Sequence, residues 1–327
     1  MSKIEWEQEL VERPFCRQLQ AMGWEWIEAD PDLPESTERA SSREVLLEGR
    51  LAKSLRAINL RDGQPWLDDA RIEKMIRDLE QAAGHRLMEV NEAVTELLLK
   101  GTVVDGLADW DQGRPQPVRY IDFEQWDNND FLVINQFKVE LTSGQGHVLP
   151  DGVLFVNGIP LVVAEFKSPG IEEPIAAASN QLLRYSNQRR EVWPTLYQEH
   201  EGVQRLFRTN QLLIASDFFE ARAGTLGAPP EAYLEWSDTS PVAPAAVLAE
   251  LRQSPAVAAA GDAAPAATRE AARQLLGVGP EQSGRAGKSL FFERTMNGPR
   301  RCAAPRRAWR ASSSWWSACC ARRICWT

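Results

Sequence analysis

An acidic pair and a lysine bound an apolar stretch near the middle of the sequence, where the chain reads PDGVLFVNGIPLVVAEFK. Asp151 opens this segment, Glu165 and Lys167 close it, and thirteen residues separate the two acids. A carboxylate beside a buried strand is costly unless an opposite charge pairs with it. Mg²⁺ prefers such oxygen ligands, and a bound cation polarises a phosphate and lowers the pKa of a water. The segment therefore predicts metal-assisted phosphodiester hydrolysis.

The spacing of these residues assigns a role to each. Glu165 and Lys167 are two apart on a predicted strand, so their side chains share one face. Asp151, Glu165 and the backbone carbonyl of Phe166 are the predicted metal ligands, and Lys167 positions the attacking water or offsets phosphate charge. Gln181 and Tyr185 lie four apart on a predicted helix, on one face. An amide and a phenol there would fix the DNA strand or the lysine.

A structural interpretation competes with the catalytic one. An acid and a lysine at a strand end are often only a solvated terminus, and short motifs also arise by chance. Likewise, Tyr185 alone would indicate a helix packed on a sheet. The context favours a site, because the motif lies on two adjacent β runs joined by a short turn and followed by a helical segment.

The register of the two strands provides a geometric prediction. A two-residue turn at 157–158 would set Asp151 opposite Ala164, on the other face of the sheet from Glu165. A shared cation requires an odd offset between the strands. We therefore predict a three-residue loop at 156–158 with its glycine in the left-handed region, and the alternative is a bulge elsewhere in the hairpin.

The periodicity of apolar residues predicts an α/β fold with helices packed against a sheet. Helical spacing covers residues 4–21, about 41–56, 67–82, 86–99 and 174–189. The β-branched and aromatic runs cover residues 117–123, 130–141, 151–156, 159–167 and 211–216. This order places a helical segment at the N-terminus and a strand meander after it.

Composition bounds the class of protein. The chain has 327 residues, a net charge of −9 and a pI near 5.1. This negative charge argues against a protein that binds nucleic acid through its overall charge. The first residues lack the apolar core of a signal peptide, and no apolar stretch is long enough to cross a bilayer. We expect a cytoplasmic protein without membrane contact, and five cysteines suit a reducing compartment.

The sequence divides into three parts. Residues 1–240 have the composition of one globular domain, and residues 241–293 are rich in Ala, Pro and Gly, as expected of a linker. Residues 294–327 contain no Asp, Glu, Leu or Val. We interpret this last part as a disordered tail that results from a shifted reading frame.

Four stretches recur in an order that resembles a known family: YIDFEQWDNNDFLVINQFKVE, PDGVLFVNGIPLVVAEFKSP, NQLLRY and LLIASDFFEARAGTL. Residues 4 to about 237 resemble the N-terminal nuclease region of the R subunit of type I restriction-modification enzymes. The resemblance implies a PD-(D/E)xK core of the RecB-like kind, a restriction-endonuclease-like mixed sheet flanked by helices.

The resemblance also implies the site and its residues. Asp151, Glu165 and Lys167 match the catalytic motif, and Gln181 and Tyr185 match the QxxxY motif. The implied reaction is Mg²⁺-dependent endonuclease cleavage of double-stranded DNA in a restriction system.

The resemblance also implies a glutamate of the first helix as another candidate for the metal site. We assign Glu9 to this role, while Glu5, Glu7 and Glu12 remain open alternatives.

The resemblance implies partners as well. A specificity subunit and a methyltransferase subunit would select the DNA sequence, and ATP would drive helicase-like motor domains. We interpret the chain as truncated before that motor, so its ATP site is absent here. Two other interpretations stay open: a catalytically idle DNA-binding or assembly remnant of a broken restriction gene, and a stand-alone nuclease of the same fold.

Overall fold

The computed structural model describes residues 7–168, 170–217 and 220–235. The predicted linker, 241–293, and the predicted tail, 294–327, lie outside the described residues. Within the described ranges, no helix combines the length and the apolar character that crossing a membrane requires.

The N-terminal part of the fold is helical, as the apolar spacing predicts. A π-helical segment, Gln8–Glu12, runs directly into helix α1, Arg13–Ala21. The described α-helices that follow are α2 (Glu48–Ile58), α3 (Asp69–Glu80), α4 (Leu87–Lys100), α5 (Ala108–Asp111), α6 (Pro174–Tyr185), α7 (Arg189–Val192) and α8 (Gln204–Phe207). Short 3₁₀ turns occupy Pro34–Thr37, Trp126–Asn128 and Pro230–Ala232.

Helix α2 begins later than the sequence predicts. The expected start near residue 41 forms a turn instead, because Ser41 Oγ accepts a hydrogen bond from the backbone N–H of Arg43 and Glu44 accepts one from that of Ala40. Side chains that bond their own backbone in this way compete with helix formation. The helix starts only at Glu48, with Leu47 as its N-cap residue.

Seven strands of the described chain form one mixed sheet, in the order β1-β6-β9-β10-β11-β12-β13. Their bounds are β1 (Glu25–Glu28), β6 (Phe131–Asn135), β9 (Gly152–Val156), β10 (Ile159–Phe166), β11 (Leu212–Ser216), β12 (Ala221–Gly224) and β13 (Leu234–Glu235). Two-stranded ladders pair β2 (Leu60–Arg61) with β3 (Gln64–Pro65), β4 (Thr102–Val104) with β5 (Gln116–Val118), and β7 (Val139–Glu140) with β8 (His147–Val148).

The central strands confirm the predicted meander, since β6, β9 and β10 pair antiparallel in turn. The strand predicted at 117–123 is wrong in extent. Only its first two residues belong to β5, and the remainder is a loop held by the buried carboxylate of Asp122. Strand β1 runs parallel to β6, and β11 runs parallel to β10.

The sheet carries an apolar core on each face. Val162 and Ala164 of β10 pack with the N-terminal helices, in the larger cluster that includes Leu51 and Met75. Val163, between them, belongs to the opposite cluster, with Ala178 and Leu182 of α6. Alternation along β10 therefore directs Glu165 to the same face as Val163, beneath α6.

The hairpin of β9 and β10 shows how the register is set. Val156 pairs with Ile159 across a two-residue turn in which Asn157 (φ 55°) and Gly158 (φ 80°) both adopt positive φ, the conformation of a type I′ turn. The predicted three-residue loop is therefore wrong. The alternative, a bulge elsewhere in the hairpin, is confirmed: the register shifts between Pro160 and Val162.

The bulge changes which residues of the hairpin face each other. Leu161 and Val162 both join the cluster beneath the N-terminal helices, as two residues opposite one do in a bulge. Beyond it, Gly152 pairs with Ala164. One step further along both strands, Asp151 and Glu165 come opposite each other on one face.

Candidate active site

The open end of the hairpin brings the predicted acids together. Asp151 immediately precedes β9, and its Oδ2 accepts a 2.7 Å hydrogen bond from the backbone N–H of Phe166. Asp151 and Glu165 are close enough that the charge on Asp151 helps to raise the pKa of Glu165. The structure thus places the two acids on a common face, as the chemistry requires.

Lys167 lies against both predicted ligand positions of β10. Its ammonium donates a 2.6 Å hydrogen bond to Glu165 Oε1 and a 3.0 Å hydrogen bond to the carbonyl oxygen of Phe166. Glu165 is fully buried, and the lysine side chain is 14% exposed. A positive charge is therefore already held at two of the three predicted metal-ligand groups.

The acids carry altered proton affinities because they are buried and close together. Burial raises the pKa of Glu165 well above its ordinary value, and the charge on Asp151 adds to this effect. Burial also raises the pKa of Asp151, although Lys167 and the Phe166 N–H act against it. Burial would lower the pKa of Lys167, but the charges on Glu165 and Asp151 outweigh it and raise the pKa.

One oxygen of this cluster has no donor. Glu165 Oε2 is buried and accepts no hydrogen bond in the structure. A buried carboxylate oxygen without a partner costs about 1–3 kcal/mol or more, so a cation is a suitable partner for it. The residues present therefore fit a hard divalent cation, although the described ranges contain no group of three or more His, Cys, Asp or Glu side chains arranged to bind one.

The π-helical segment selects which N-terminal acids face this cluster. Its backbone hydrogen bond runs from the N–H of Arg13 to the carbonyl of Gln8, five residues back. Residues five apart therefore share a face, whereas in an α-helix they would diverge. Glu7 and Glu12 are such a pair: Glu7 accepts a 2.8 Å hydrogen bond from the Ser168 N–H beside the lysine.

Glu12 lies deeper than Glu7. It is 2% exposed and accepts hydrogen bonds of 2.7 Å from Asn135 Nδ2 and 2.6 Å from Gln136 Nε2, at the end of β6. Trp26 Nε1 donates to the other side of the Asn135 amide at 3.0 Å. Burial raises the pKa of Glu12 to about 7 against the hydrogen bond from Asn135, and the charge on Asp151 contributes to the increase.

The structure places Glu9, the N-terminal acid selected from the sequence, away from these groups. It forms a 2.5 Å ion pair with Arg13, and its side chain is 43% exposed. Arg13 in turn pairs with Glu28 of β1 at 2.6 Å. Glu9 therefore belongs to a partly exposed ion-pair chain, while Glu7 and Glu12 face the hairpin.

Helix α6 contributes the two predicted polar residues. Gln181 Nε2 donates a 2.6 Å hydrogen bond to the Tyr185 hydroxyl, which donates a 3.1 Å hydrogen bond to the carbonyl oxygen of Leu149. Burial raises the pKa of Tyr185, so the phenol stays protonated and can donate. The pair thus holds the chain two residues before Asp151.

Comparison with known proteins agrees with this architecture. Residues 5–232 match the family described as "Type I restriction enzyme R protein N terminus". The chain belongs to this family. It is 30% identical over 230 residues to the type I restriction enzyme HindI endonuclease subunit of Haemophilus influenzae, covering 69% of this chain and 20% of that protein.

Other relatives match the same region. The putative type I restriction enzyme MjaIXP endonuclease subunit of Methanocaldococcus jannaschii is 28% identical over 231 residues, covering 70% of this chain and 20% of that protein. The SauCOLORF180P endonuclease subunit of Staphylococcus aureus is 29% identical over 179 residues, 50% of this chain and 17% of that protein. The chain therefore spans about one fifth of the length of the first two curated relatives.

Some residues of the site were not found from the sequence of this family member. Asn135 and Gln136 are not among the residues predicted from the sequence, although two amides at the end of the apolar run FLVI are a usable signal. Glu12 was one of several open alternatives, because an α-helical spacing gives no reason to pair it with Glu7. The π-helical turn that pairs them is seen only in the structure.

Proposed function

We propose that this domain is the endonuclease module of a type I restriction enzyme R subunit and that it hydrolyses DNA phosphodiester bonds with Mg²⁺. The observation that carries the proposal is the junction of Asp151, Glu165 and Lys167 at the open end of the bulged hairpin. The unpartnered, buried Glu165 Oε2 supports a cation at this junction.

Asp151, Glu165 and the carbonyl oxygen of Phe166 would hold the cation in this proposal. Bound Mg²⁺ supplies Lewis-acid polarisation of the phosphate and a lowered pKa for a water. The Phe166 N–H fixes the Asp151 carboxylate by its 2.7 Å hydrogen bond, so one oxygen remains for another partner. Preorganised ligands of this kind need no rearrangement at the moment of reaction.

Lys167 remains protonated, because two carboxylates raise its pKa. On the same face as the acids, its ammonium can hold a phosphate oxygen or orient the attacking water. Both roles require Lys167 to exchange one of its present acceptors, Glu165 Oε1 or the Phe166 carbonyl, for the substrate.

For the acid of the first helix we propose Glu12, with Glu7 beside it, in place of Glu9. Glu12 is buried, its pKa responds to the charge on Asp151, and two amides donate to it, whereas Glu9 forms an ion pair with Arg13. Two amide donors stabilise its carboxylate and thus offset part of the cost of burying the charge.

Gln181 and Tyr185 act as positioning residues in this proposal. Their hydrogen-bonded pair fixes Leu149 and so the approach of Asp151 to the shared site. Either side chain could also meet a DNA phosphate beside the acids, a contact that orients the strand without reading its sequence.

Sequence selection lies with other chains in this proposal. We expect methyltransferase and specificity subunits as partners, double-stranded DNA as substrate, and ATP hydrolysis by motor domains of the complete R subunit. The net charge of −9 supports a division of labour, because bulk charge does not draw this chain to DNA.

A supercoiled-plasmid nicking assay tests the function. The purified chain is incubated with Mg²⁺, with and without the methyltransferase and specificity subunits, beside Asp151→Ala, Glu165→Ala and Lys167→Ala. Each substitution should abolish nicking while circular dichroism shows an intact fold. Glu9→Ala is the matched control and should retain activity.

The outcomes separate the alternatives. Nicking that survives Glu165→Ala would contradict the assigned site. A folded wild-type chain that binds DNA but never nicks it, under either condition, would instead identify a catalytically idle assembly module.

A further inference from the structure

A cavity of about 500 Å³ lies among the N-terminal helices, away from the catalytic acids. It is bounded by the end of α2, by Trp66 after the β2–β3 ladder, by the β4–β5 ladder and by the loop that follows β5. Its lining includes Leu60, Trp66, Lys100, Trp110, Arg119 and Gln125. Cavities of this size hold small organic ligands.

Two indoles form flat walls of the cavity. The rings of Trp66 and Trp110 meet nearly edge to face, with centroids 5.3 Å apart and an interplanar angle of 78°. The guanidinium of Arg61 lies 3.9 Å from the centroid of the Trp110 ring and holds that ring in place. Leu60 lies beside them and is 50% exposed, so apolar surface remains open here.

Two polar side chains of the lining already have hydrogen-bond partners within the protein. The carboxylate of Asp122 accepts hydrogen bonds from the N–H groups of Glu124 and Gln125 and from the Asn128 amide. It also forms an ion pair with Arg119. The side-chain amide of Asn59 likewise forms hydrogen bonds with backbone groups.

The remaining donors belong to several residue types. Among the hydrogen bonds of the described residues, the indole N–H groups of Trp66 and Trp110 and the amide N–H groups of Gln125 donate to no protein acceptor. Lys100 and Arg119 add positive charge, Lys100 paired with Glu96 on its own helix and Arg119 also near Glu124.

We propose that this cavity binds a nucleotide unit, an aromatic base together with its phosphate. Such a ligand is flat and apolar on its faces, rich in acceptors at its edges and negatively charged at one end. Indole and guanidinium surfaces stack on bases of any sequence. A peptide fits less well, because its backbone brings as many donors as acceptors and no fixed anion.

The cavity lies at the end of the catalytic hairpin opposite the acids. Asn129 Oδ1 accepts hydrogen bonds from the Asp122 N–H and from Asn157 Nδ2, which fastens the cavity loop to the turn between β9 and β10. Asp151 lies at the other end of β9, roughly 20 Å away at the usual rise of about 3.3 Å per residue. The proposed binding is therefore separate from the proposed hydrolysis and goes beyond it.

Two sources of the ligand share this chemistry: a free nucleotide and a nucleotide of single-stranded DNA. The test uses the full chain in EDTA, so that a metal-dependent contact at the acids does not contribute. Fluorescence anisotropy follows a labelled single-stranded oligodeoxynucleotide at elevated salt, which weakens backbone contacts made elsewhere. Calorimetry with dAMP is the arm for a free nucleotide.

Substitutions of three residues that line the cavity test the proposed binding. Trp110→Leu should weaken binding about 10-fold or more, since stacking on an aromatic side chain contributes about 1–3 kcal/mol per base. Lys100→Gln and Gln125→Ala alter exposed side chains, so they preserve the fold, and each should weaken binding about 2–10-fold. Trp193→Leu, outside the cavity lining, is the matched control and should bind normally.

The oligonucleotide and dAMP measurements together identify the source of the ligand and the results that would overturn the proposal. Binding of the oligonucleotide alone indicates a DNA strand, and binding of dAMP as well indicates a free nucleotide. Absence of binding by the folded wild-type chain in both arms, or binding that none of the cavity variants weakens, overturns the proposal. If Trp110→Leu does not fold, the other two variants decide. Because binding is measured in EDTA and the variants lie in the cavity, failure of the nuclease assignment would leave this result unaffected.

Discussion

Replacing Glu12 by Gln should flatten the dependence of stability on pH in the metal-free protein. The pKa of Glu12 is raised from 4.5 to about 7 in the folded chain, chiefly by burial. A buried acid with a raised pKa contributes stability while it is protonated. That contribution is complete below the unfolded value of about 4.5 and is lost as the pH rises through about 7.

The magnitude follows from the pKa difference. A rise from 4.5 to about 7 corresponds to a loss of about 3 kcal/mol in the free energy of unfolding between pH 4.5 and pH 8. Glu12→Gln cannot ionise and should not show this loss. The substitution also turns one amide N–H toward the donors of Asn135 and Gln136, a cost that is independent of pH. The informative quantity is therefore the slope, not the absolute stability.

The assay is urea unfolding in EDTA at a series of pH values from about 4.5 to 8, which covers the window between the two pKa values of 4.5 and about 7. Glu9→Gln, the same substitution on the partly exposed side of the same helical segment, is the control and should follow the wild type. Parallel wild-type and Glu12→Gln curves would refute the reasoning, because they would show that Glu12 does not gain a proton on folding in this range.

Two further predictions concern the hairpin and the cation proposed to bind there. Gly158→Ala should destabilise the fold by more than Gly63→Ala. Both glycines have positive φ, which costs an L-residue about 1–2 kcal/mol. Only at Gly158 would the added Cβ also lie 2.6 Å from the Leu47 carbonyl oxygen. Urea unfolding measures both, and equal losses would contradict the contact. Mg²⁺ should raise the Tm of the wild type, because a hundredfold excess over Kd stabilises the folded state by about 2.7 kcal/mol. The Tm of Glu165→Gln should stay nearly unchanged. An equal increase in both would place the ion elsewhere.

The sequence alone determined the α/β class and predicted the acids and the lysine of the proposed site. These follow from local information: β-branched runs with period two, helical spacing, and charged residues that bound an apolar stretch. It also determined that the strands of the hairpin need an odd offset, since side-chain alternation admits no other way to bring Asp151 and Glu165 to one face.

Only the tertiary structure decided how that offset arises. The NG turn at 157–158 follows its local preference, and the bulge at Leu161 appears where β10 enters the sheet between β9 and β11. Pairing partners on both sides, not the residues of β10 alone, fix such a register.

The proposed choice of Glu12 over Glu9 likewise rests on the structure and not on the sequence. Several glutamates in one turn have the same local preferences, and only the folded structure shows the π-helical segment that aligns Glu7 with Glu12. An acid that faces solvent and an acid that faces a buried site differ in their neighbours, and those neighbours come from β6 and β9, more than a hundred residues along the chain.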